Sequence, residues 1–183
     1  MARRWAALAL LIAAGGPTAA ARPEPGPADL PCTYWPSGGD MESFPHCAQL
    51  DGNGTPRVAP EHLRRLIYDR HGLATILIGQ WYVVRRNGVL APVMIMDNGP
   101  ESFSNGLARS PVGGKIGYID RSLRLVIPAR YDGAYPFAHG VAQVCFGCTV
   151  QSDGEHSWYA GGTSACIDRR GRTLAPSTRR KGC

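Results

Sequence analysis

Residues Lys115 to Pro128 read Lys-Ile-Gly-Tyr-Ile-Asp-Arg-Ser-Leu-Arg-Leu-Val-Ile-Pro, and the chain continues to Ala142 as Ala-Arg-Tyr-Asp-Gly-Ala-Tyr-Pro-Phe-Ala-His-Gly-Val-Ala. This stretch is one copy of a recurring unit. Gly72-Leu73-Ala74, Gly106-Leu107-Ala108 and Gly140-Val141-Ala142 stand 34 residues apart, and the residues before them, His71, Asn105 and His139, keep step. Tyr82 to Pro92 overlays Tyr118 to Pro128 without a gap, and Cys166 to Pro176 overlays the same positions. A unit of this size cannot bury its own apolar face, so neighbours must stack to make a core.

The local pattern is β. Short runs rich in Val, Ile and Tyr, bounded by Gly, Pro, Asn and Asp, predict strands at Ala74–Ile78, Trp81–Arg85, Leu90–Met96, Ile116–Asp120, Leu125–Ile127, Val141–Cys145 and Cys166–Asp168. Asn87-Gly88 is a hairpin signal because both residues tolerate positive φ. Each unit then holds a hairpin, a loop pinned by Phe137 or its counterpart Phe103, and a third strand after the glycine. One short helix fits between residues 60 and 69, where Leu63, Leu66 and Ile67 share a face behind Pro60.

At these residues the chain resembles the WG-repeat family, whose unit runs roughly Trp-Gly-Tyr-Ile-Asp, an apolar run ending Ile-Pro, Tyr-Asp, Phe, then Gly-Leu-Ala. Ile116-Gly117-Tyr118-Ile119-Asp120, Val126-Ile127-Pro128, Tyr131-Asp132, Phe137 and Gly140-Val141-Ala142 carry the likeness. Ile116 replaces the name-giving tryptophan, and Trp81 lies one residue past its place in the preceding copy. The resemblance covers about residues 48 to 176 and implies a repeat scaffold rather than a chemistry. The expected fold is all-β, a short solenoid or propeller-like array over residues 47–176, marked by Gly72, Gly106, Gly140, Tyr82, Tyr118, Pro92, Pro128 and Phe137.

The flanks speak to location. Residues 1–21 pair Arg3-Arg4 with an apolar run and end in Ala19-Ala20-Ala21, the layout of a signal peptide. An exported protein, periplasmic or secreted and without a transmembrane anchor, is expected. Losing that segment takes the formal charge from +6 to +4, a mild bias that does not call for nucleic acid. Residues 22–46 read as a Pro/Gly-rich extended lead-in, and residues 177–183 as a solvated basic tail.

Six cysteines, Cys32, Cys47, Cys145, Cys148, Cys166 and Cys183, all follow the cleavage site, and an even count in an exported chain favours disulfides over metal ligation. Cys32 and Cys47 bracket the lead-in, and the expected ties for Cys145 or Cys148 are Cys166 or Cys183. A redox Cys-x-x-Cys wants a helix N-terminus under its first thiol, whereas Cys145 ends a strand.

The insertion over residues 146–162 breaks the period and carries His156, Trp158 and Tyr159, the candidate ligand surface. Asp51, Asp120 and Asp168 recur at turns, where a carboxylate accepts backbone N–H groups. No catalytic constellation, cofactor motif or metal-ligand spacing stands out. The expectation is therefore a scaffold that binds a protein or a cell-envelope polymer. The rivals are a thiol oxidoreductase through Cys145 and Cys148, a hydrolase using Asp132, His139 or His156, and a purely structural envelope component.

Overall fold

The computed structural model describes residues 30–175 and Cys183; the expected signal peptide, the start of the lead-in, Pro176 and most of the basic tail lie outside them. In chain order the strands are β1 Leu30–Tyr34, β2 Glu42–Leu50, β3 Pro56–Val58, β4 Leu73–Ile78, β5 Gln80–Arg85, β6 Leu90–Pro92, β7 Ile95–Met96 and β8 Gly99–Pro100. They continue as β9 Leu107–Val112, β10 Lys115–Asp120, β11 Leu125–Tyr131, β12 Gly133–Ala134, β13 Val141–Phe146, β14 Thr149–Ser152, β15 Ser157–Ala160 and β16 Thr163–Asp168. One helix, α1 Pro60–Arg65, begins with proline, whose missing N–H costs nothing in a first turn. The architecture is all-β and repetitive.

The hydrogen-bonded unit is a three-stranded antiparallel meander that starts at the Gly-Leu-Ala triplet. Copy one is β4–β5–β6, copy two is β9–β10–β11, and copy three pairs β13 with β16, followed by a bridge from Ile167 to Thr173. The strand after each glycine therefore pairs with the hairpin of the next sequence unit. That offset ties consecutive units together through backbone.

Five turns share one geometry. At Asp51, Asp69, Arg85, Asp120 and Asp168 the residue's N–H donates to the carbonyl four residues on, and its own carbonyl accepts from the third residue. That third residue has positive φ in every case: Gly54, Gly72, Gly88, Leu123 and Gly171. Four of the five carry the aspartate, whose Oδ1 takes the N–H groups two and four residues ahead, for example Ser122 and Arg124 at Asp120. The Asp51, Asp120 and Asp168 carboxyls titrate below the usual range. At Asp51 the N–H groups of Thr55 and Asn53 cause this; at Asp120 and Asp168 burial opposes it and the hydrogen bonds from Arg124 and Arg172 outweigh the burial.

A second turn type closes the loops before β9 and β13. Asn105-Gly106 and His139-Gly140 both have positive φ within two-residue turns, as expected for these residue types. His71, expected to play the same part, does not: its glycine belongs to the wider Asp69 turn, so only Gly72 is left-handed there. The two narrow turns stack, with Gly140 N–H donating to Asn105 Oδ1 at 2.6 Å and Ser104 Oγ to the Phe137 carbonyl at 2.5 Å.

The core lies between the copies. On β5, Tyr82 and Val84 face one cluster with Tyr34, Cys32, Cys47 and Ile76, while Trp81 and Val83 face a second with Ala108, Ile119 and Leu123. On β10, Ile119 joins that second cluster, while Ile116 and Tyr118 join a third with Ile127, Tyr131, Phe137, Val144 and Ile167. Each central strand is buried on both faces, so its neighbours share its interior. Tyr118 is fully buried, its ring 4.8 Å from Phe137 edge-on, and its hydroxyl donates to the Tyr135 carbonyl at 2.8 Å.

Two expectations need correction, and the insertion gains a structure the sequence left open. The lead-in is partly sheet: β1 sits between β2 and β4, with Cys32 and Tyr34 pointing inward, so the domain begins no later than Leu30. The Cys32–Cys47 disulfide and the buried Tyr34 hold what its Pro/Gly composition disguises. The run Leu90–Met96 is two strands, because after Val93, whose N–H still donates to the Trp81 carbonyl, the chain leaves its own sheet: Met94 N–H donates to the Arg109 carbonyl of copy two, and Asp97-Asn98 turns the β7–β8 hairpin. Lastly, strands β14 and β15 build a hairpin within the insertion.

Gly117 has a steric cause. β11 bulges over Pro128–Arg130, and a Cβ at Gly117 would sit 2.6 Å from the Ile127 carbonyl oxygen and 2.7 Å from Ala129 N. In copy one β6 pairs with β5 in regular register, without that bulge, and Trp81 occupies the aligned position.

Candidate binding cleft

The insertion replaces a tight turn. Copy one turns from β4 to β5 at Gly79, and copy two from β9 to β10 at Gly113-Gly114, both left-handed. In copy three β13 and β16 pair up to Phe146 and Thr163, and residues 147–162 project as the β14–β15 hairpin.

Several contacts fix its base. Asp132 Oδ2 accepts Gly147 N–H at 2.7 Å while Lys115 Nζ donates to its other oxygen, and these bonds hold the Asp132 carboxyl below its ordinary range. Gly133 lets the insertion pack, since a Cβ there would come within 2.5 Å of both Cys145 Sγ and the Tyr159 ring. Tyr159 meets Tyr135 edge-on at 5.3 Å.

The six cysteines form three disulfides: Cys32–Cys47, Cys145–Cys148 and Cys166–Cys183. The expected link from Cys145 or Cys148 to Cys166 or Cys183 is not made. Left-handed Gly147 folds Cys148 back onto Cys145, and Cys166 receives the C-terminal residue instead. Cys32, Cys47 and His62 bring three potential ligand atoms within 4.8 Å of one another, but both sulfurs are in the disulfide. The His62 ring nitrogens are engaged by Tyr34 Oη at 2.8 Å and the His46 carbonyl at 3.0 Å.

Opposite the insertion stands β7–β8. Between the two hairpins lies a cleft of about 570 Å³, within the usual range for ligand sites. One wall is Met94 to Asn98, the other Glu155 to Tyr159 with Val150, and the floor is Arg109, Tyr135 and Pro136. His156, Trp158 and Tyr159 all line this cleft. Ile95 (61 % exposed), Val150 (62 %) and Trp158 (44 %) leave an apolar lining in water.

Beneath the floor is an ion pair invisible in the sequence, because its partners come from different strands and loops. Arg109 Nε donates to Glu101 Oε2 at 2.6 Å, Arg109 N–H approaches Oε1 at 3.3 Å, and Arg109 Nη1 donates to the Ala134 carbonyl at 2.8 Å. Both side chains are buried. Burial pushes the Glu101 carboxyl up, against the pull of Arg109. Arg109 therefore brings little free charge to the cleft, and the carboxylates of Asp97 and Glu155 set the sign of its rim. Asp97-Asn98-Gly99, a turn-forming triplet passed over in the sequence reading, is the signal by which this wall could have been found.

A hollow of about 660 Å³ lies on the other side of β7–β8, lined by Asp69, Arg70, His71, Glu101, Phe103 and Arg121 among others. Its acids are already engaged, Asp69 by its own turn and Glu101 by Arg109. The two-hairpin cleft, with exposed apolar surface and free carboxylates, is the stronger candidate site. Two of the residues weighed for hydrolysis lie apart: His139 turns into the start of β13 while Asp132 binds Gly147 just past its end. Those points are separated by the six residues of β13, on the order of 16 Å.

Among the described residues no helix is long and apolar enough to cross a membrane. Comparison with curated proteins and with solved structures gave no match. Residues 116–147 match the family model described as WG containing repeat, a span that runs through β10, β11 and β13 and stops at Gly147, where the insertion begins. Residues 116–147 thus carry a WG-type repeat unit, and the outer wall of the cleft lies beyond that matched unit.

Proposed function

We propose that this is an exported β-repeat scaffold that acts by binding a protein or a cell-envelope polymer in the cleft between β7–β8 and β14–β15. One observation carries the reading: the insertion is dispensable for closing its strands, since left-handed glycines do so in the other copies, yet it holds Trp158 and Val150 in solvent opposite Ile95. Apolar surface kept exposed on a rigid frame is what a binding face requires.

The three disulfides support an oxidising destination. Cys145 and Cys148 are buried at a strand end with no helix N-terminus to activate a thiolate, which supports a staple over a redox centre. The test replaces residues 147–162 by Gly-Gly, with Cys145→Ser. Purified wild type should retain a component of the exported-protein fraction or co-sediment with purified cell-wall polymer. The shortened chain, with unchanged far-UV circular dichroism, should do neither. Equal retention by both proteins would refute the site.

A further inference from the structure

Strand edges, rather than side chains alone, line the cleft. In a strand, successive side chains point to opposite faces, so a cleft that meets one face touches alternate residues. Within the strands themselves, Ile95-Met96 of β7 and Ser157-Trp158-Tyr159 of β15 line the cleft as consecutive residues, so both strands meet it edge-on. β7 and β15 each have a single strand neighbour, β8 and β14, in two-stranded sheets. Their other edges therefore face the cleft without a paired strand; Met94 N–H is already taken by the Arg109 carbonyl, so the free edge of β7 begins at Ile95. Most other sheet edges are blunted: β3 carries Pro56, β6 Pro92, β9 Pro111, and β11 both Pro128 and a bulge. Neither β7 nor β15 contains proline or a bulge.

Charge selects among strand-forming ligands. The rim offers the Asp97 and Glu155 carboxylates, while the Arg109 guanidinium is consumed by Glu101. Trp158 adds an exposed indole face, suited to a Lys or Arg side chain. The chain as a whole is basic at +6, so attraction of a cation here is local, within about one Debye length of 10 Å at 0.1 M salt.

We propose that the cleft binds an extended polypeptide segment that adds as a strand against β7 or β15 and carries Lys or Arg beside apolar residues. This rests on the cleft being the binding site and narrows its ligand to one class. Backbone pairing would supply affinity, and the carboxylates and Trp158 would supply selectivity.

The experiment uses the full mature chain and three capped, fluorescein-labelled heptapeptides. They are Lys-Val-Lys-Val-Lys-Val-Lys, the same peptide N-methylated at alternate amides, and Glu-Val-Glu-Val-Glu-Val-Glu. Fluorescence anisotropy should show the first binding at least tenfold more tightly than either of the others, with affinity falling as salt rises. Asp97→Asn with Glu155→Gln should weaken it about three- to tenfold, and Trp158→Ala further. Equal affinity for the N-methylated peptide would overturn strand addition, and equal affinity for the acidic peptide would overturn the charge assignment. If soluble cell-wall glycan fragments alter Trp158 emission, measured against Trp158→Phe, and no peptide does, the cleft stands and this inference falls. If neither alters it, both fall.

Discussion

At the scale of single residues, one position in the third place of a repeated turn is informative. Leu123 holds φ of 62° where its four counterparts are glycine, and it is buried in the second cluster. Left-handed backbone costs a leucine about 1–2 kcal/mol, while its burial contributes about 1.5–3 kcal/mol. Packing wins, so Leu123→Gly should lower stability by about 1 kcal/mol in urea unfolding; a gain would show the strain to be larger than the packing. Gly72→Ala and Gly171→Ala test steric space at the same turn position. A Cβ at Gly72 meets nothing within 4 Å, whereas at Gly171 it would lie 2.9 Å from Ile127 Cγ2. Gly171→Ala should therefore be the more costly by about 1 kcal/mol or more. The turn carboxylates set a pH dependence. Folding depresses the pKa values of Asp51, Asp120 and Asp168, so their stabilisation is present above the unfolded aspartate value of about 3.9 and is lost as pH falls through the lower folded values. Glu101 runs the other way, being raised by burial, so its contribution is present below the unfolded value and lost as pH rises through the folded one. Thermal unfolding of Asp120→Asn against wild type should show the gap closing below about pH 4; a gap independent of pH would contradict this. The aspartate roles were legible in the sequence because the residue recurs at one place in the repeat. The Glu101–Arg109 pair was not, because nothing in the spacing of two ionic residues says that they will be buried together.

At the scale of elements, the first strand shows how composition misleads. Leu30–Tyr34 lies in a stretch read as a loose lead-in, but the alternate residues Cys32 and Tyr34 are buried and the strand completes a six-stranded sheet. The Cys32–Cys47 bond spans 15 residues, a closure worth about 3 kcal/mol in the chain-entropy model. Cys32→Ser with Cys47→Ser should cost about that in denaturant unfolding, and the same pair of changes at Cys145 and Cys148, only three residues apart, should cost much less. Equal costs would mean that Cys145–Cys148 contributes packing beyond loop closure. Strand positions in the repeats were readable because turn residues bracket them. The break after Val93 was not, since the apolar run Val93 to Met96 continues unchanged while its hydrogen-bond partner passes from one copy to the next.

At the scale of the whole molecule, stability belongs to interfaces between copies. A fragment beginning at Ser102 keeps copies two and three but exposes Ala108, Ile119 and Leu123, which the intact chain covers with Trp81 and Val83. That fragment should bind a hydrophobic dye and unfold with a shallower, earlier transition than the full chain; a sharp, equally stable transition would show the copies to be independent. The sequence by itself determined the β-repeat class, its 34-residue spacing, the turn chemistry and the residues that pin each loop, because these follow from local φ preferences and from short-range apolar patterning. It also singled out His156, Trp158 and Tyr159 of the insertion as the candidate ligand surface. Only the tertiary structure decided that the third strand of each unit pairs with its neighbour, which cysteines meet, and that the insertion faces β7–β8 across a cleft with open strand edges. Those outcomes depend on which distant segments share a surface, a property of three-dimensional packing that no local pattern encodes.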